Sequence, residues 1–300
     1  MLQWALGALS RVFTAPSAQC TPEQRKTWNG FVDSFTASAI NGGSPQSLVL
    51  ERDGDDRGNG AGLDKGPVTF RPAAKRVVAI GDLHGDYEKC ERAFRMAGLI
   101  DENRNWVGGE TVAVQVGDVL DRGGDEIRIF HFLEELKRQA ASHGGALHVL
   151  NGNHEILNVA GRFRYATESA FAEFERYEKI QRFGRFLKCK CGVDRRKCEM
   201  AIPSLSSSGV EARREALKPG GSISAAFLAR NPVALVVGST VFVHGGLHPR
   251  HLKYGVERMN RETSEWIRGD SKVSPPETTP FRRSRELARR FIRNWVSQLT

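Results

Sequence analysis

From Arg76 onward, short runs of β-branched and apolar residues alternate with longer stretches in which apolar residues recur every three or four positions. That alternation of period-two and helical patterning predicts an α/β fold. Strands are expected at Val77–Ile80, Thr111–Val116, Ala146–Leu150, Val233–Val237 and Thr240–Val243, with helices near 86–97, 125–142, 166–187 and 252–268. Upstream, Thr21-Pro22-Glu23-Gln24 reads as a capping box with proline at the first helical position, leading into Trp28, Phe31 and Phe35 at helical spacing. Residues 41–66 carry Asp53, Gly54, Asp55, Asp56, Gly58 and Gly60 and read as an exposed linker. An EF-hand reading of this segment fails because no glutamate stands at the closing ligand position.

Composition narrows the class. With 40% hydrophobic and 26% charged residues in 300, the chain can bury one large core. No apolar run approaches the ~18 residues that span a bilayer, so no membrane span is expected. The net charge is +9, and residues 281–300 hold six arginines against the single acid Glu286. Nothing in the chain interleaves aromatics with cations in a recognisable nucleic-acid module, so this segment reads as a solvated helix and nucleic acid is not expected as a partner. An odd count of five cysteines argues against a disulfide framework. Cys189, Cys191 and Cys198 sit in a basic segment and leave three readings open, which are loop cysteines, a redox-responsive thiol cluster and structural zinc that lacks a fourth ligand. The first twenty residues are weakly transit-like or simply flexible, and cytosol and mitochondrion both stay open.

Chemistry concentrates where the strands end. Four predicted strands run into Gly81-Asp82-Leu83-His84-Gly85, Gly117-Asp118-Val119-Leu120-Asp121-Arg122-Gly123, Gly152-Asn153-His154-Glu155 and His244-Gly245-Gly246. In α/β sheets, ligands bind in the crevice outside the carboxyl ends of the strands, so these loops are placed to converge. They would bring together carboxylates of Asp82 and Asp118, imidazoles of His84 and His244, and the amide oxygen of Asn153. Mixed oxygen and nitrogen donors suit Mn²⁺, Fe²⁺ or Zn²⁺, whereas all-oxygen cages suit Ca²⁺ or Mg²⁺. A carboxylate such as Asp118 can bridge two ions that clamp a phosphoryl group between them. Arg122 offers a planar fork for phosphate oxygens, and His154, oriented by Asp121, is the expected general acid for the leaving oxygen.

These loops carry the pattern GDxHG, GDxxDRG, GNHE, HGG, which resembles the calcineurin-like metallophosphoesterases and, among them, the PPP-type phosphoprotein phosphatases. With Phe163-Arg164-Tyr165, His244-Gly245-Gly246-Leu247 and Tyr254-Gly255-Val256-Glu257-Arg258, the chain is most similar to the Shewanella-like protein phosphatases, over about residues 70–268. The resemblance implies a central β-sandwich of two mixed sheets flanked by helices, two divalent metal ions and attack on a phosphoprotein monoester, at tyrosine or serine/threonine, by a metal-bridging hydroxide. It places Asp82, His84 and Asp118 on the first ion, and Asp118, Asn153 and His244 on the second. Substrate phosphate falls to Arg122, Asn153 and Arg164. The chain then divides into residues 1–20, an amino-terminal helix and linker at 21–69, a metallophosphoesterase domain at 70–270 and a divergent basic tail at 271–300. The family pattern continues with a Gly-His-Thr loop, and here no histidine follows His251. The end of the chain therefore reads as truncated, alternatively spliced or mispredicted, and the fold as incomplete there. The alternative function is a folded, catalytically impaired regulator without a full second metal site; diesterase or nuclease activity is a further variant. A cysteine-nucleophile phosphatase is disfavoured, because no Cys-x₅-Arg loop is present.

Overall fold

The computed structural model describes residues 22–40, 67–189 and 208–275. The amino-terminal twenty residues, the Gly/Asp linker, Cys191, Cys198 and the basic tail from residue 276 lie outside the described residues, while Cys189 is the last residue of a helix. The elements in chain order are α1 (Pro22–Ile40), β1 (Phe70–Arg71), β2 (Val77–Ile80), α2 (Tyr87–Met96), β3 (Val112–Gln115), α3 (Glu126–Ser142), β4 (Ala146–Val149), α4 (Asn153–Val159), α5 (Glu168–Cys189), α6 (Gly209–Leu217), α7 (Ser222–Ala226), a 3₁₀ turn at Leu228–Arg230, β5 (Ala234–Val237), β6 (Thr240–Val243), α8 (Pro249–Tyr254) and α9 (Val256–Arg268).

The described residues gather into two compact units, one of residues 22–40, 172–189 and 208–212, the other of residues 67–171 and 213–275. In the first, α1 lies along α5. The Trp28 indole donates to the Leu187 carbonyl at 2.7 Å, and the Phe35 and Phe183 rings meet edge to face at 6.2 Å.

The second unit is α/β with two three-stranded sheets, ordered β2-β3-β4 and β1-β5-β6. The expected pair of mixed sheets resolves into one mixed sheet, in which β5 pairs parallel to β1 and antiparallel to β6, and one sheet that is parallel throughout. The parallel sheet follows from its connections, since α2 and α3 each carry the chain back to the starting edge between strands. Side chains of both sheets meet in one apolar cluster of Val114, Leu150, Leu235 and Val237, with Val112, Val116 and Phe242 packed against it.

Local chemistry sets the helices. Asp86 caps α2 by accepting from the Lys89 amide at 3.0 Å, and Tyr87, Cys90 and Phe94 form its buried stripe. The Phe132 ring of α3 packs edge to face against Tyr87 and Phe94. Buried Asn260 of α9 accepts from the Val233 amide at 2.9 Å and donates to Thr69 Oγ1 and the Ala234 carbonyl, both at 2.8 Å. One side chain thus ties α9 to β5 and to the residue before β1. No helix among the described residues is long and apolar enough to cross a membrane.

Candidate metal centre

Strand order explains which carboxylate sits in the middle. β3 is the central strand of the parallel sheet, so its loop, beginning at Gly117-Asp118, lies between the loops that follow β2 and β4. Backbone hydrogen bonds zip the three together. The Leu83 and His84 amides both donate to the Asp118 carbonyl, at 3.0 and 2.9 Å, and the Gly85 amide donates to the Val119 carbonyl at 2.8 Å. From the other side, the Glu155 carboxylate accepts four backbone N–H groups, from Asp118 (2.8 Å), Val119 (2.9 Å), Leu120 (3.0 Å) and Gly152 (2.7 Å). Such close approach needs glycine at the crossing points. A Cβ on Gly123 would overlap the Gly85 and His84 backbone, and one on Gly152 would overlap the Asp118 carboxylate.

The loops are also strained. Of the five non-glycine residues with positive φ among the described residues, four lie here, namely His84 (47°), Asp118 (59°), Asp121 (72°) and Arg122 (71°). Each such conformation costs on the order of 1 kcal/mol and persists only because the surrounding hydrogen bonds over-determine it.

Three imidazoles now converge on one oxygen. His84, His154 and His244 each have Nδ1 tied away from the centre, to the Leu120 carbonyl (2.9 Å), Asp121 Oδ2 (2.6 Å) and the Val116 carbonyl (3.1 Å) respectively. Each Nε2 faces Asp118 Oδ2, at 3.8, 3.8 and 3.1 Å. A second carboxylate, Asp82, lies 3.6 Å from His84 Nε2 and 3.8 Å from His244 Nδ1. Bonding of Nδ1 to a backbone carbonyl leaves the Nε2 lone pair of His84 available and turns Nε2 of His244 toward Asp118, the usual orientation of metal-binding histidine.

This donor set fits a divalent cation. His84 Nε2 is buried and makes no hydrogen bond, although two carboxylates face it. Lone pair against carboxylate is repulsive unless positive charge intervenes, and a cation satisfies all of these atoms together. Two triads bring one ligand atom each to within 4.8 Å of one another, His84–Asp118–His154 and Asp82–Asp118–His244, with Asp118 common to both. The sequence groups Asp82, His84 and Asp118 on one ion, and Asp82 Oδ2 also lies 3.6 Å from His84 Nε2.

The charges respond to this crowding. The hydrogen bond to Asp118 is the main cause that raises His244, to about 9, against burial. Burial raises Asp118, but the hydrogen bonds from the His244 side chain and the His154 backbone outweigh it and hold the carboxyl below its usual range. Burial depresses His154, yet the Asp121 hydrogen bond and the nearby carboxylate charges lift it above the ordinary imidazole value. Glu155 is pushed up to about 7, first by burial and then by the charge of Asp118.

Behind His154 lies a network the sequence did not reveal. Asp121 Oδ2 accepts from His154 Nδ1 at 2.6 Å and from Asn158 Nδ2 at 3.0 Å, while Oδ1 accepts from Arg213 Nη2 at 2.9 Å. Arg213, 0% exposed, also donates to Glu126 Oε2 at 2.7 Å and to Asn158 Oδ1 at 2.9 Å. One signal was present. Ala212, Arg213, Ala216 and Leu217 form the buried face of α6, so Arg213 occupies a core position.

The remaining expected residues are less enclosed. Arg122 is exposed, with its backbone N–H on the Tyr165 carbonyl at 3.1 Å. Arg164 is exposed and stacks over the Tyr165 ring at 4.6 Å, and that ring in turn packs on His154 at 4.8 Å. Asn153, half-buried, opens α4 between Gly152 and His154.

Residues 75–285 match the calcineurin-like phosphoesterase family. The chain is 48% identical over 204 residues to Shewanella-like protein phosphatase 2 of Arabidopsis thaliana, covering 65% of this chain and 52% of that protein. It is 29% identical over 197 residues to Shewanella-like protein phosphatase 1 of Plasmodium berghei, covering 66% and 46%. It thus spans about half the length of these curated relatives. A solved cold-active protein-tyrosine phosphatase of a psychrophilic Shewanella species superposes with a TM-score of 0.47 at 20% identity, covering 67% of this chain and 52% of that one. By a match that spans most of its length, the chain belongs to the calcineurin-like phosphoesterase family.

Proposed function

We propose that this chain hydrolyses phosphate monoesters of phosphoproteins at the cluster around Asp118, with two divalent ions of the Mn/Fe/Zn type as cofactors. The carrying observation is the convergence of three Nε2 atoms on Asp118 Oδ2, one of them buried with no partner of its own. Asp82, His84 and Asp118 would hold one ion, and Asp118, Asn153 and His244 the other. Ions held there supply Lewis acidity toward the phosphoryl oxygens and toward water. The names of the two curated relatives, both protein phosphatases, support a phosphoprotein as substrate.

The chain's own residues supply the rest. Arg122, exposed and next in sequence to Asp121, would offer its guanidinium fork to two phosphate oxygens, and exposed Arg164 would add positive charge. His154 is held with Nδ1–H on Asp121, so its other nitrogen faces the site and can protonate the departing oxygen. Burial lowers its pKa, but the Asp121 hydrogen bond and the neighbouring carboxylate charges raise it above the ordinary imidazole value.

Purified protein incubated with Mn²⁺ should hydrolyse an aryl phosphate and a phosphopeptide, and only weakly the corresponding bis-aryl ester. A chelator should stop turnover, and a thiol alkylator should not. A single bound ion without turnover would instead establish the impaired regulator. Preferential diester cleavage would redirect the reading toward nucleases.

A further inference from the structure

We propose that Arg213 is a positioning residue that locks the Asp121–His154 pair into the one orientation in which His154 Nε2 faces the Asp118 cluster. The inference rests on the reading of His154 as the acid. Asp121 offers two oxygens, and the network divides them. Oδ1 is taken by Arg213 Nη2 at 2.9 Å, leaving Oδ2 for His154 Nδ1 at 2.6 Å, with Asn158 Nδ2 at 3.0 Å on the same oxygen. Rotating the carboxylate would break the Arg213 and His154 bonds together. Arg213 itself cannot turn, because its Nη1 is on Glu126 Oε2 at 2.7 Å and its Nε on Asn158 Oδ1 at 2.9 Å.

The arrangement closes on itself. Glu126 Oε1 accepts the Asp121 backbone N–H at 2.8 Å, holding the loop where φ is 72°. Asn158 Nδ2 also donates to the His154 carbonyl at 2.9 Å. The guanidinium therefore fixes Asp121 through its side chain and, by way of Glu126, through its backbone. A planar fork with donors in a rigid geometry does this, and an ammonium on a flexible stem does not. Arg213, Asp121 and Glu126 all have side chains 0% exposed, so no water competes for these bonds.

Arg213→Lys tests the proposal in the full chain loaded with diamagnetic Zn²⁺. In the wild type, the short, buried His154 Nδ1–H···Asp121 bond should give a downfield proton resonance, assigned by its disappearance in Asp121→Asn. The variant should lose that resonance or shift it upfield while keeping its bound metal, measured by elemental analysis, and a cooperative melt. Its kcat on an alkyl phosphate, whose leaving group needs a proton, should fall by about 10–100-fold. An aryl phosphate with a good leaving group should be little affected, whereas a general loss of structure would depress both. Should Arg213→Lys fail to fold, Glu126→Gln removes one anchor of the fork and should shift the same resonance. An unchanged resonance in a folded variant overturns the positioning role. If the resonance moves but the wild type turns over no monoester, the positioning stands and the phosphatase reading falls.

Discussion

Asp118 divides the site into two regions that satisfy their polar atoms in opposite ways. Toward Asp82, His84 and His244, carboxylates and imidazoles crowd around Asp118; the Asp82 side chain is half exposed, and buried His84 Nε2 makes no hydrogen bond. Toward Asp121, Asn158, Glu126 and Arg213, the carboxylates and the guanidinium are bonded to groups of the same chain and sealed from water. The first region is complete only when something positive enters it. The second is complete already, and its task is to hold a shape. His154 stands on the boundary, with Nδ1 in the saturated region and Nε2 in the open one.

The largest test of this division is Asp118→Asn, which removes the carboxylate shared by both triads. Several kcal/mol of charge stabilisation should be lost, lowering kcat/KM by more than about 10³-fold. Isothermal titration should show weakened Mn²⁺ binding, while the His154–Asp121 resonance stays. Next in size, His154→Gln should lower kcat by about 10²–10³-fold on alkyl phosphates with metal content unchanged. Loss of metal in that variant would place His154 among the ligands, as the His84–Asp118–His154 triad permits.

Much of this was legible in the chain. β2 and β6 lie where the hydrophobic pattern put them, and α3 differs by one residue at its start. The loop residues were readable because metal and phosphate chemistry demands particular side chains, and because strand ends place them together. Arg213, Asn158 and Glu126 were not. Their importance comes from a contact 92 residues apart in sequence, Arg213 to Asp121, and charged residues in amphipathic helices ordinarily read as solvated faces. Glu155 was visible as part of a motif, but its four amide bonds depend on the strained loop geometry that only the fold reveals. β1 escaped because two residues carry no periodicity.

Glu155→Gln sharpens the contrast by loosening the frame that both regions share. A neutral amide oxygen is a weaker acceptor than a carboxylate, and one arm becomes a donor facing backbone N–H groups. A loss of about 1–3 kcal/mol is expected, read as a lower chemical-denaturation midpoint, with turnover reduced because the Asp118 loop relaxes. Unchanged stability would show that these amides are satisfied otherwise.

The smallest effect concerns protons. Without metal, His244 is raised from its ordinary 6.5 to about 9 by its bond to Asp118, so the protonated pair stabilises the fold fully below 6.5 and loses that contribution as pH rises through about 9. A cation at this place must displace that proton. Affinity for Mn²⁺ should accordingly rise with pH by up to about tenfold per unit until about 9 and then level off. Calorimetry in buffers of different ionisation enthalpy should record proton release, and pH-independent affinity would remove His244 from the ligand set.

Anomalous diffraction from crystals grown with Mn²⁺ tests the central claim most directly. Two anomalous peaks sharing the Asp118 carboxylate, one against Asp82 and His84 and the other against Asn153 and His244, are the predicted result. Crystals saturated with Mn²⁺ that show no peak within coordinating distance of Asp118 would contradict it.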